Sequence, residues 1–101
     1  MEQTERALIL CYAVHTRQYL RSQLFDYKDD IILGDINAMD RHRGTLPSVI
    51  ILYHIPIDKL TSRMLEHIEM MQHISGCDRF WTSHISFVKE LLDDLKRGKD
   101  D

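Results

Sequence analysis

The sequence predicts an α/β domain, with about four parallel strands and helices packed on the sheet. Three observations predict it. Four short apolar runs punctuate the chain: Ala7–Val14, Asp30–Ile36, Ser48–Ile55 and Phe80–Ile85. Between and after them lie segments whose apolar residues recur at steps of three and four, the helical period. The runs are themselves nearly continuous in apolar character, as strands covered on both faces must be. Strands alternating with helices join most readily into a parallel sheet.

Each element has its own reason. Ala7-Leu8-Ile9-Leu10-Cys11-Tyr12-Ala13-Val14 is the first strand. Thr16 suits an N-cap, and Arg17–Phe25 reads as a helix with Leu20 and Leu24 one turn apart. Ile31-Ile32-Leu33-Gly34-Asp35-Ile36 is the second strand. Asn37–Pro47 is a polar connection with room for one helical turn at Ala38–His42. Val49-Ile50-Ile51-Leu52-Tyr53 is rich in β-branched residues and ends before Pro56. Asp58 is the expected N-cap of an amphipathic helix over Asp58–Ser75. Leu60, Met64, Leu65, Ile68, Met71 and Ile74 line one side of it. Gly76 stands where a helix-ending glycine belongs. Phe80-Trp81-Thr82-Ser83 reads as a short strand at a sheet edge. Ser86 is expected to cap a last helix, which carries Val88, Leu91, Leu92 and Leu95 along one face and ends at Gly98.

Composition bounds the rest. A chain of 101 residues is expected to form one domain over positions 1–101. Hydrophobic content of 44% and charged content of 29% suit a soluble globular chain. A net charge of -3 gives no general pull toward nucleic acid or anionic lipid. The one basic cluster, Arg41-His42-Arg43, is too short to reverse that. No apolar run approaches the ~20 residues that span a bilayer. Met1–Arg6 is charged and polar, unlike a secretion signal, so a cytoplasmic location is expected. Cys11 and Cys77 lack Cys-x-x-Cys spacing and read as buried thiols.

Three stretches resemble a response-regulator receiver domain, in the right order. Ile9-Leu10-Cys11-Tyr12 followed by Arg17-x-x-Leu20-x-x-x-Leu24 is similar to a receiver's first strand and helix. Asp30 through Asp40 resembles the strand that ends in the phosphoacceptor aspartate, with Asp35 in that place. Gly76–Gly98 resembles the closing strand, loop and helix. The resemblance implies a flavodoxin-like fold. Its departures are chemical. The two metal-binding acids are replaced by Cys11 and Tyr12, a poor pair for a hard cation. Ser83, beside His84, takes the place of the lysine. Leu52-Tyr53-His54 stands where a receiver has its Thr or Ser. About one strand–helix unit is missing before Asp30, so Asp35 is expected at the end of the second strand instead of the third. Phosphoryl transfer rests on positioning and charge neutralisation. The resemblance therefore implies a degenerate receiver that binds proteins without phosphorylation.

Asp35 has two readings, a residual phosphoacceptor or a carboxylate that caps the following turn, and the second is the commoner role. Six histidines are many for this length. His54 after a strand and His84 before a helix would, if joined by Asp35, hold Zn²⁺ or act as an acid–base set, though solvated loop histidines are far commoner. The histidines together would instead make binding sensitive to pH near 6–7. Met64 and Met71 read as core, with Met70 at its margin. Phe80 and Trp81 are neighbours on a strand and so point to opposite sides. Phe80, Trp81, His84, Phe87 and Leu91, within Asp78–Leu95, form the expected partner-binding face.

His54 through Trp81, with Arg63 and Arg79-Phe80-Trp81, also resembles the carboxyl-terminal segment of polysaccharide-deacetylase and allantoinase-like barrels. That likeness implies a remnant or subunit of a metal-dependent hydrolase, with His54 as its carried-over residue. The expectation is a protein-recognition module in signalling or transcriptional control. It would use no cofactor and no catalysis, and would act as a homodimer or a hetero-complex.

Overall fold

The computed structural model describes residues 2–3, 6–38 and 45–100. The basic cluster Arg41-His42-Arg43 lies outside the described residues. So does most of the expected turn at Ala38–His42, although a single 3-10 turn occupies 36–38.

In chain order the elements are β1 (Glu2–Gln3), β2 (Ala7–Cys11), α1 (Val14–Gln23), β3 (Ile31–Asp35) and β4 (Thr45–Leu46). These are followed by β5 (Val49–Tyr53), α2 (Ser62–Ser75), β6 (Asp78–Thr82) and α3 (Ile85–Asp100). The main sheet has four strands in the order β3-β2-β5-β6. Every pairing in it is parallel. The chain steps outward from β2 to β3, returns past β2 to β5, and steps outward again to β6. That reversal is the flavodoxin-like, doubly wound order. β1 and β4 form a separate two-residue parallel pair, Glu2↔Thr45 and Gln3↔Leu46.

The strand period of two divides the core into two layers. Ala7, Ile9, Cys11, Val49, Ile51 and Tyr53 face one side, with Leu20, Leu24, Val88 and Leu92. Leu8, Leu10, Ile50 and Leu52 face the other, with Ile36, Ile55 and Ile68. Thus α1 and α3 cover one face and α2 covers the opposite one. The residues of β2 and β5 are all buried. Each fully buried Leu or Ile favours folding by about 1.5–3 kcal/mol over the exposed state. The Cα radius of gyration is 12.8 Å, against about 13 Å for one 100-residue domain.

Helix starts differ from the sequence expectation. α1 begins at Val14 behind Ala13, whose extended backbone (φ -103°, ψ 145°) supplies no side-chain cap. Thr16 lies inside that helix and is buried. Asp58 instead belongs to a separate 3-10 turn, Ile57–Lys59. Thr61 is the true cap of α2, and its hydroxyl accepts the Met64 N–H at 3.2 Å. α3 starts at Ile85, one residue before Ser86. It runs through Gly98 to Asp100. Gly76 does end α2, with φ +70° and its N–H donated to the Gln72 carbonyl at 2.7 Å.

The last helix is also tied to the segment after α1. The Tyr27 hydroxyl donates to Asp93 at 2.8 Å. Lys96 lies 3.6 Å from the Asp30 carboxylate and 5.5 Å from the centre of the Tyr27 ring.

Candidate functional site

Parallel strands deliver their carboxyl ends to one edge, where doubly wound sheets place their ligands. Here that edge carries Cys11, Asp35, Tyr53 with His54, and Thr82 with Ser83. Asp35 ends β3, the second strand of the main sheet and an outer one. Its Oδ1 accepts the Asn37 backbone N–H at 2.9 Å and the Asn37 amide at 3.1 Å. The carboxylate thus closes its own turn, the commoner of the two roles considered for it.

A shallow notch of about 130 Å³, including solvent at its mouth, lies between Asp35, Cys11, Tyr12, Val14 and Arg17. Cys11 is buried, and its thiol donates to the Gly34 carbonyl at 3.5 Å. Burial pushes that thiol above its ordinary value. The Arg17 charge pulls it down and the Asp35 charge raises it. This part of the edge thus holds a buried thiol and the partly exposed phenol of Tyr12. Cys77 packs against the opposite core layer from Cys11, so the sheet separates the two free cysteines.

His54 sits in the left-handed region, with φ +50°. Histidine is among the few side chains enriched there. Its backbone N–H donates to the Thr82 carbonyl at 2.8 Å. Its Nδ1 lies 3.3 Å from the Ser83 hydroxyl. The His84 backbone N–H donates to the Thr82 hydroxyl at 3.0 Å, which opens α3. Asp35 is remote from this pair of loops. Strands β3 and β5 flank β2, so about two strand spacings, ~10 Å, intervene. Among the described residues no three His, Cys, Asp or Glu side chains lie close enough to share a metal ion. The structure does not gather His54, His84 and Asp35 into one site.

The expected partner face is divided by the sheet. Trp81 pairs with Leu52 and shares its side, the α2 side. Phe80 pairs with Ile51 and faces the α1–α3 side. Phe80 and Leu91 pack against that core layer. Phe87 meets Phe80 edge-on at 5.7 Å between ring centres. These three are half-buried, with Phe80 the inward member of its pair with Trp81. Trp81 and His84 are the exposed members. Trp81 is 47% exposed, and its indole N–H donates to the Ile55 carbonyl at 3.2 Å. Sequence reasoning missed Arg79 as a neighbour of Trp81 on one face. The period of two within Asp78–Thr82 was its signal. Met64 and Met71 pack against the α2-side core, and Met70 is exposed.

No helix among the described residues is long and apolar enough to cross a membrane. No family model, curated protein or solved structure matches this chain.

Proposed function

We propose that this chain is a protein–protein interaction module of signalling or transcriptional regulation, receiver-like in fold and independent of phosphorylation. It works in the cytoplasm, on a protein partner, with no cofactor and no catalysis. The observation that carries the reading is Trp81. It is a large aromatic, half exposed on an outer strand, with its ring oriented by the Ile55 carbonyl. Aromatic residues held in one orientation lose little freedom on binding and anchor interfaces. The carboxyl edge supports the same reading. Acyl-phosphate chemistry of the receiver kind needs a free carboxylate beside acids that hold a divalent metal ion. Asp35 has Oδ1 committed to Asn37, and its nearest strand-end neighbour across the ladder is buried Cys11.

Two measurements test it. Incubation with acetyl phosphate and Mg²⁺, followed by intact-mass analysis, is expected to leave the mass unchanged. A stable adduct on Asp35 would overturn the reading. Pull-down with the wild-type chain and with Trp81→Ala is expected to lose the partner in the variant. A partner set indifferent to that change would also overturn it.

A further inference from the structure

The open edge of β6 has a hydrogen-bonding polarity that selects its partner. Among the described residues β6 pairs only with β5, so its other edge is unpaired within the sheet. The His54 N–H donates to the Thr82 carbonyl. In a parallel ladder, alternate residues of a strand bond to the same neighbour. Thr82, Phe80 and Asp78 therefore turn their backbone groups toward β5. Arg79 and Trp81 turn theirs outward. The outward donors and acceptors of β6 belong to the two residues whose side chains share the α2 face.

We infer that β6 pairs antiparallel with β6 of a second copy of this chain, with Phe80 on the two-fold axis and each Arg79 opposite the partner's Trp81. The inference deepens the interaction-module reading and rests on it. A two-fold pair of identical strands must be antiparallel. Outward residues must then face outward residues, which leaves three registers. Centring on Arg79 sets two like charges directly opposite, which is unfavourable. It also recruits Cys77, whose carbonyl already accepts the Gln72 amide at 3.2 Å. Centring on Trp81 brings Arg79 opposite the partner's Ser83, beyond the end of the strand. Centring on Phe80 lets both outward residues of each copy exchange N–H···O=C bonds. It also places a guanidinium against an indole twice, a favourable pairing.

The other outer strand fits itself less well in its register of full overlap. The Ala7 N–H donates to the Asp30 carbonyl, so Ile31, Leu33 and Asp35 point outward along β3. Self-pairing centred on Leu33 would set Ile31 opposite the partner's Asp35, an apolar side chain against a carboxylate. The β6 strand carries neither proline nor lysine, and the one charge among its outward residues, Arg79, meets the partner's indole in this register. Five residues of edge make a small interface, so the dimer is weak and concentration-dependent.

Sedimentation equilibrium over a range of concentrations tests this. The wild-type chain is expected to approach twice its 12.0 kDa mass. Trp81→Arg places like charges opposite each other, and the dimer dissociation constant is expected to rise about thirty-fold. The double change Arg79→Glu, Trp81→Arg restores opposite pairs and is expected to restore the dimer. Arg79→Pro removes an outward N–H without breaking a bond to β5. It is expected to give a folded monomer by circular dichroism, which keeps the test open if an arginine at 81 disturbs folding. In the dimer the Arg79 and Trp81 amides are expected to exchange slowly with solvent, and to exchange quickly on dilution. A wild-type chain that stays monomeric at every concentration overturns the pairing. The module reading then stands or falls by its own pull-down. A dimer indifferent to Trp81→Arg, or not restored by the double change, overturns the register. Open-ended assemblies overturn the two-fold.

Discussion

Replacing Gly76 with alanine isolates the cost of one backbone conformation. Gly76 ends α2 at φ +70° and ψ 23°. A Cβ built there meets nothing within 4 Å, so no clash contributes. An L-residue held in the left-handed region loses about 1–2 kcal/mol relative to glycine. Alanine also stiffens the unfolded chain, which offsets about 0.4–1 kcal/mol of that. The expected net loss is about 1 kcal/mol, or about 4–8 °C in Tm for a domain of this size. Urea unfolding of Gly76→Ala should show a lower midpoint with an unchanged slope. Gly76→Asn should lose less, because asparagine tolerates this conformation. An unchanged midpoint would refute the argument, since the turn would then not need its glycine. A loss above about 3 kcal/mol would refute it too, because only steric or register damage reaches that size.

Three further outcomes are expected. Ile68 is the fully buried anchor of α2, so Ile68→Ala should cost about 2–5 kcal/mol in urea unfolding. Tyr27→Phe should cost about 0.5–1 kcal/mol near neutral pH by removing the hydrogen bond to Asp93. That bond needs the protonated phenol and raises its pKa above the ordinary 10.0. The contribution is complete below that value and is lost as pH rises through the raised one, so the two proteins should converge in stability at strongly alkaline pH. Cys77 should react with a thiol reagent in the native state. Buried Cys11, its thiol further disfavoured as thiolate, should react about a hundredfold slower, awaiting an opening of the sheet.

The strands were legible because burial on both faces writes itself as unbroken apolar runs. Val49–Tyr53 is the clearest case. Helix starts were not. Asp58 and Thr61 are both competent caps. Only the 3-10 turn at Ile57–Lys59 and the extended Leu60 after it decide for Thr61. Thr16 was read as a cap because Val14 looks like more strand, yet the helix starts at Val14 and buries Thr16. The pairs Glu2–Gln3 and Thr45–Leu46 are two residues long and leave no periodic trace. At the site, the opposite facing of Phe80 and Trp81 followed from strand geometry. That Phe80, Phe87 and Leu91 would join the core depended on where α3 lies, which only the fold supplies.

The central place of β2 has a consequence for synthesis. Leu8 leaves the ribosome before both of its neighbours in the sheet, Ile32 on one side and Ile50 on the other. This wholly buried strand is thus made before either of the strands that flank it. Until Val49–Tyr53 has emerged, one edge of that apolar strand has no neighbouring strand to cover it. Chaperone demand during production should therefore fall sharply once Tyr53 has emerged.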